Sequence, residues 1–129
     1  METDLKKISL LVVDDSSINQ RVVAISLRNT IEDIDVANDG LEAFEKYCAK
    51  QYDVIIMDGR MPVMDGYEST RKIRQFEIEK GIDKKSTIIA LTGSDTDEES
   101  RNCIDSGMNA SLLKPFRLTQ FLDILKEFS

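Results

Sequence analysis

Residues Val54-Ile55-Ile56-Met57 form an apolar run without alternation, and the run ends in a carboxylate, Asp58. A strand with one wet face alternates polar and apolar residues. An unbroken run suits a strand covered on both faces, as in a parallel sheet flanked by helices. Gly59 then loosens the chain, Pro62 stiffens it, and Asp65-Gly66 combines a turn signal with a helix start. An acid at the end of a buried strand is costly without partners. The rest of the chain must supply them.

Further runs of the same kind recur at regular spacing. Ile8 to Val13 reads as a buried strand ending in Asp14-Asp15, after a polar lead-in from Met1 to Lys7. Ser17 reads as the cap of a helix reaching about Asn29, with Ile18, Val22 and Ile25 at helical spacing. Ile34 to Ala37 reads as the second strand, with Asn38-Asp39-Gly40 as its exit turn. Leu41, Phe44 and Cys48 mark one face of a second helix. A third helix follows Asp65-Gly66 and carries Tyr67, Ile73 and Phe76 on a weak apolar face.

Glu77 to Ser86 is charged and reads as a solvated helix end and loop. Thr87 to Leu91 forms a fourth strand and delivers Thr92-Gly93-Ser94. The acids of Asp95 to Glu99 suit the positive end of a helix dipole. That helix is expected to turn Ile104 and Met108 inward and to stop near Gly107. Ala110 to Leu113 is the fifth strand, ending in Lys114-Pro115-Phe116. Leu118, Phe121, Leu122, Leu125 and Phe128 make the clearest amphipathic helix. Five strand–helix units predict an α/β domain with a parallel sheet and helices on both faces. The expectation is one domain over residues 1–129, with a core of about 7–128.

Composition removes several classes of function. A net charge of −7 argues against nucleic acid or anionic lipid as the main partner. The apolar runs are far shorter than a membrane span and no signal peptide is visible, so a cytoplasmic chain without membrane contact is expected. Cys48 and Cys103 lack a CxxC spacing and read as reduced, inert thiols. The chain has no histidine. It therefore holds neither a serine–histidine triad nor a histidine phospho-donor of its own.

The residues that end the strands now define a candidate site. Asp14 and Asp15, Asp58, Thr92 and Lys114 follow strands one, three, four and five. In an open parallel sheet these ends share one edge, where ligands bind. Each residue alone also has a structural reading: a helix cap, a strand threonine, a surface lysine. Close carboxylates repel, and one stays protonated unless a cation joins them. Oxygen ligands favour a hard ion, with Mg²⁺ the default and Mn²⁺ the alternative. Metal, lysine and hydroxyl together cradle a phosphoryl group. A carboxylate can itself accept that group as an acyl phosphate. A plain metal site would leave Thr92 and Lys114 idle.

These residues, in this order, resemble the receiver domain of two-component response regulators. The resemblance rests on Asp14-Asp15, Asp58 with Met61-Pro62 and Asp65-Gly66, Thr92, and Lys114-Pro115-Phe116. It covers about Lys7 to the C-terminus. The stretch from Met57 to Gly66 is most similar to receivers attached to hybrid histidine kinases. The resemblance implies a flavodoxin-like, doubly wound (βα)5 fold with strand order 2-1-3-4-5. It implies Asp58 as phosphoacceptor, with Asp15 a direct Mg²⁺ ligand and Asp14 acting largely through water. The backbone carbonyl of Arg60 would be a further ligand. Thr92 and Lys114 would each hold a phosphoryl oxygen, and the Lys114-Pro115 bond would be cis.

Two departures accompany the resemblance. The family's usual aromatic switch partner of the threonine is here Ser111. The positions that tune phosphoryl lifetime are Arg60 and Ser94, neither acidic nor amide-bearing, so slow hydrolysis is expected. The implied donor is a phosphohistidine on a histidine kinase or a histidine phosphotransfer protein. The implied output is a changed surface for an unidentified downstream protein, without turnover of any external substrate. A free-standing protein and the cytosolic part of a larger membrane-bound hybrid kinase both fit. The resemblance is compatible with a monomer or with a weak homodimer through the face containing Leu118 to Phe128.

Three other readings compete. A flavin carrier of similar topology needs a hydroxyl- and glycine-rich phosphate loop, where this chain has two acids. An aspartyl phosphatase commonly needs a second acid two residues on, where this chain has Arg60. A receiver-like binding module without phosphorylation would not need the complete set of site residues.

Overall fold

A computed structural model of the chain describes residues 5–94 and 96–128. After a single 3-10 turn at Leu5–Lys7, five strands alternate with five helices. They are β1 (Ser9–Val13), α1 (Ser17–Leu27), β2 (Asp33–Ala37), α2 (Gly40–Ala49) and β3 (Val54–Asp58). The second half adds α3 (Gly66–Glu79), β4 (Thr87–Thr92), α4 (Asp97–Ser106), β5 (Ala110–Leu113) and α5 (Leu118–Phe128). The strands form one parallel sheet in the order β2-β1-β3-β4-β5.

The central strand β3 is buried at all five positions, which explains its unbroken apolar run. Its alternate residues serve two different cores. Leu11, Val13, Ile55, Met57, Ile88 and Ala90 pack on one face with Ala43, Tyr47, Ile73 and Cys103. Leu10, Val12, Val54, Ile56, Ile89 and Leu91 pack on the other with Val23, Leu27, Phe121 and Leu125. Helices α2, α3 and α4 therefore cover one face, and α1 and α5 the other.

Local chemistry sets the helix starts. Ser16, Asp39, Asp65 and Thr96 each accept a hydrogen bond from a backbone N–H of the following turn. The cap of α1 is thus Ser16 rather than Ser17. Thr96 caps α4, which begins at Asp97; Asp95 lies outside the described residues. Helix α4 ends at Gly107 in the left-handed region, as its position predicts.

The inward faces of three helices differ from expectation. Ile18, Val22 and Ile25 are exposed at 73%, 46% and 52%, and α1 instead buries Gln20, Val23 and Leu27. Leu41 is exposed and Phe44 and Cys48 are half-buried, while α2 buries Ala43 and Tyr47. Ile104 is exposed, and α4 turns Glu99, Cys103 and Ser106 inward, with Met108 buried just beyond it.

Glu77 corrects the expectation of a solvated segment from Glu77 to Ser86. Its side chain is fully buried, and Ser86 at the far end is buried too. The Glu77 carboxylate accepts from the Tyr47 hydroxyl at 2.6 Å, from Ser86 N–H at 2.9 Å and from Arg74 at 2.9 Å. Arg74 also donates to the carbonyls of Ser86 and Gly107 and to Asn109 Oδ1. One buried acid thus ties α2, α3, the start of β4 and the α4–β5 turn together.

Between β3 and α3 the chain makes a tight turn in which Met64 N–H donates to Pro62 C=O at 2.8 Å. Its central residue, Val63, has φ 69° and is 77% exposed. A β-branched residue is strained there and gains no burial in return. Val63→Asn is expected to raise stability by about 1 kcal/mol, since asparagine tolerates the left-handed region. Urea melts of the two proteins check this; an unchanged or lower midpoint for the variant refutes it.

Candidate functional site

The parallel sheet carries the carboxyl ends of β1, β3, β4 and β5 to one edge. Asp15, Asp58, Gly59, Arg60, Thr92, Gly93, Ser94, Glu99 and Lys114 line a cleft there of about 380 Å³. Asp14 sits beneath, 2% exposed. Carboxylate oxygens of Asp14, Asp15 and Asp58 all lie within 4.8 Å of one another. Two strand ends far apart in sequence, those of β1 and β3, thus bring three carboxylates together.

Asp58 is 7% exposed at the last position of β3. Its Oδ1 accepts from Arg60 N–H at 3.2 Å, and its Oδ2 lies 3.5 Å from Lys114 Nζ. Gly66 lets α3 start directly against this strand end: a Cβ there would collide with the Asp58 carbonyl oxygen and stand 2.7 Å from Met57 Cγ. Thr92 Oγ1 donates to the Ser94 carbonyl at 2.9 Å. Lys114 N–H donates to Thr92 C=O at 2.7 Å, and the Lys114–Pro115 bond is cis. Ser111, on the edge strand, is exposed and lines a separate groove with Thr92 and Ile124.

Asp14 has an unusual electrostatic position. Burial pushes its carboxyl above the ordinary value; the Ser16 N–H opposes this, and the charge of Asp58 adds to it. Its Oδ1 accepts from Ser16 N–H at 2.9 Å, while its buried Oδ2 has no partner. A buried acceptor left unmatched beside two other carboxylates fits a divalent cation held by oxygen ligands.

Three further residues at the site carry no signal at the level of spacing. Gln20 Nε2 donates to the carbonyls of Asp14 and Ala37 and to Asn38 Oδ1, bracing the β1 exit. Glu99 and Tyr67 meet beside Arg60 at the cleft. A polar residue such as Gln20 on the buried side of α1 is recognisable only once that side is known. Glu99 lies within an acidic run that dipole complementarity already accounts for.

Both thiols are free, with Cys103 buried and Cys48 half-buried. Burial pushes both upward in pKa, which keeps them as thiols rather than nucleophilic thiolates. Among the described residues no helix is long and apolar enough to cross a membrane.

Comparisons with known proteins agree with this arrangement. The family profile described as the response regulator receiver domain matches residues 10–126. The osmosensing histidine protein kinase SLN1 of Saccharomyces cerevisiae is 38% identical over 133 residues, covering 98% of this chain and 10% of the kinase. The sensor histidine kinase RcsC of Escherichia coli is 34% identical, covering 97% of this chain and 12% of the kinase. The chain thus spans only about a tenth of the length of these relatives.

Among solved structures, the Mg²⁺ complex of the receiver domain of the Arabidopsis thaliana histidine kinase CKI1 matches with a TM-score of 0.84 and 33% identity, covering 98% of this chain and 94% of that one. The co-crystal structure of the S. cerevisiae phosphotransfer protein Ypd1 with the receiver domain of Ssk1 matches with a TM-score of 0.86 and 31% identity, covering 97% and 90%. Strand order, the acidic edge and an almost full-length match converge: the chain belongs to the response regulator receiver domain family of two-component signalling.

Proposed function

We propose that Asp58 accepts a phosphoryl group from a phosphohistidine and that the resulting acyl phosphate switches a protein-binding surface. The observation that carries this reading is Asp58 itself, buried between the Asp14–Asp15 pair and the Lys114 ammonium. An Asp58 carboxylate oxygen attacks phosphorus, the P–N bond breaks, and its electron pair returns to the donor imidazole. Lys114 holds a phosphoryl oxygen as a point charge. Asp14, Asp15, Asp58 and the Arg60 carbonyl would hold Mg²⁺, or Mn²⁺ in its place. The ion would neutralise charge on the transferring group.

Thr92 is the moving part of this reading. Its hydroxyl is engaged with the Ser94 carbonyl, so reaching a phosphoryl oxygen means giving up that bond. The Gly93–Ser94 loop and the start of α4 would then shift. Ser111 offers no ring to follow the threonine, so the change is transmitted by the loop. Loss of the phosphoryl group is a self-directed reaction in which water attacks phosphorus and the Asp58 carboxylate leaves. Arg60 and Ser94 provide no acid or amide to orient that water, so hydrolysis is slow; a half-life of seconds would contradict this.

The donor needs a surface beside the cleft. Helix α1 exposes Ile18, Val22 and Ile25, and at Val22 this apolar row meets a groove of about 350 Å³ that Lys114, Pro115 and Phe116 also line. A histidine kinase or phosphotransfer protein docked on this row would bring its phosphohistidine toward Asp58. The known co-crystal of Ypd1 with a receiver supports a partner of this kind.

The test is transfer itself. Incubation with Mg²⁺ and acetyl phosphate, or with a phosphorylated donor protein, is expected to add one phosphoryl group by intact mass. Asp58→Asn is expected to add none. Persistent labelling of that variant would refute the assignment.

A further inference from the structure

Glu99 Oε1 accepts from Arg60 Nη2 at 2.6 Å, and Glu99 Oε2 accepts from the Tyr67 hydroxyl at 2.5 Å. One carboxylate in the first turn of α4 therefore holds both the loop that follows Asp58 and the start of α3. Gly59 makes room for this: a Cβ there would stand 2.7 Å from the Tyr67 hydroxyl oxygen. The two ends of the Arg60–Glu99 pair differ sharply in exposure. The Glu99 side chain is 9% exposed and that of Arg60 is 76% exposed. Glu99 is fixed, and Arg60 is a solvated cation on a tether. The Tyr67 hydroxyl first, and Arg60 after it, hold the Glu99 carboxyl below its ordinary pKa against the effect of burial.

We propose that Glu99 is a positioning residue that parks the Arg60 guanidinium at the cleft mouth while Asp58 is free, and that a phosphoryl group on Asp58 draws Arg60 away from it. This rests on the reading of Asp58 as phosphoacceptor. Arg60, Glu99, Asp58 and Lys114 line one cleft, so the two anions compete for a cation that both can reach. Turning a carboxylate into an acyl phosphate adds negative charge and strong acceptor oxygens. A guanidinium can pair with phosphate through two parallel N–H bonds, whereas Glu99 engages one nitrogen of Arg60. An ion pair with one solvated partner is a weak hold, so the stronger anion wins. The exchange unties the loop after Asp58 from α4 and leaves Glu99 bonded to Tyr67 alone. Phosphorylation is thereby communicated to α4 by a second route, independent of Thr92.

The experiment is a double-mutant cycle read by binding of beryllofluoride, a phosphoryl analogue, in the presence of Mg²⁺. Glu99→Gln keeps an acceptor for Tyr67 and removes the competing charge. It is expected to tighten analogue binding about 3-fold, the scale of an exposed ion pair. In an Arg60→Gln background the same change is expected to have no effect, because Glu99 acts only through Arg60. A metal-free readout accompanies it. The Arg60 Nε–H resonance in wild type is expected to differ from that of a free arginine and to collapse toward it in Glu99→Gln. Equal tightening in both backgrounds, or an Arg60 resonance indifferent to Glu99→Gln, would overturn the proposal. Arg60 is exposed, so its variant also serves should Glu99→Gln prove poorly folded: Arg60→Gln alone is expected to weaken analogue binding, and unchanged binding would overturn the proposal. A wild-type protein that neither gains phosphoryl mass nor binds the analogue overturns the phosphoacceptor reading as well. Binding with an additive cycle overturns the role of Glu99 alone.

Discussion

Glu77→Ala is expected to lower folding stability by about 3–5 kcal/mol, the usual consequence of removing one member of a buried charged network. The carboxylate is fully buried and satisfies the Tyr47 hydroxyl, the Ser86 N–H and Arg74 together. Its removal strands a buried hydroxyl and a buried N–H and frees a guanidinium that also reaches the α4–β5 turn. For a domain whose total stability is roughly 5–15 kcal/mol, such a loss is a large fraction. Glu77→Gln keeps one acceptor oxygen, which can still serve the Tyr47 hydroxyl and the Ser86 N–H that share Oε2, and gives up the charged acceptor of Arg74, so it should lose less than Glu77→Ala. Urea denaturation of the three proteins checks the series. A loss below about 1 kcal/mol for the alanine variant would mean that the network is dispensable.

Asp14→Asn is expected to change sign with magnesium. In metal-free buffer at neutral pH the variant should be more stable than wild type by about 1 kcal/mol, because the buried, unmatched Asp14 Oδ2 no longer carries charge beside Asp58. The sign follows from linkage. Asp14 binds its proton more tightly in the folded state, so its contribution is most favourable below the ordinary carboxylate value and is lost as pH rises through the folded one. The advantage of the variant should therefore shrink as pH falls toward 3.8. With magnesium at about a hundred times its dissociation constant, wild type gains roughly 2.7 kcal/mol and the order reverses. Melting temperatures with EDTA and with magnesium test both halves. A variant less stable than wild type without metal, or one that keeps the full magnesium gain, would refute the assignment.

The sheet was readable because each buried strand is a short apolar run that stops at a polar residue. Of those stops, Asp58, Thr92 and Lys114 line the cleft and Asp14 lies beneath it next to Asp15, so strand pattern and candidate site were legible together. Helix orientation was not. In α1, Val22 and Val23 are adjacent, and helical spacing fits either as the inward residue; only the packed sheet selects Val23 and leaves Ile18, Val22 and Ile25 outside. Glu77 and Glu99 were illegible for another reason. A buried acid is tolerable only through its partners, and these come from 30 and 32 residues away for the two tyrosines. Within a charged stretch nothing distinguishes such an acid from its solvated neighbours. Ser111 was read as a departure from the family pattern, and its exposed place on the edge strand gives that departure a location: a groove that reaches Thr92.

The sheet also acts as a partition. Alternate residues of β1, β3 and β4 feed two interiors that do not merge, one backed by α1 and α5, the other by α2, α3 and α4. Substitutions that retune one interior therefore have little steric access to the other, and their energetic effects should add. A lineage of such chains could reshape the α1 side while the α4 side stayed as it was. Evolution would then have two nearly separable dials on one small scaffold, with the acidic rim at the edge of the sheet between them.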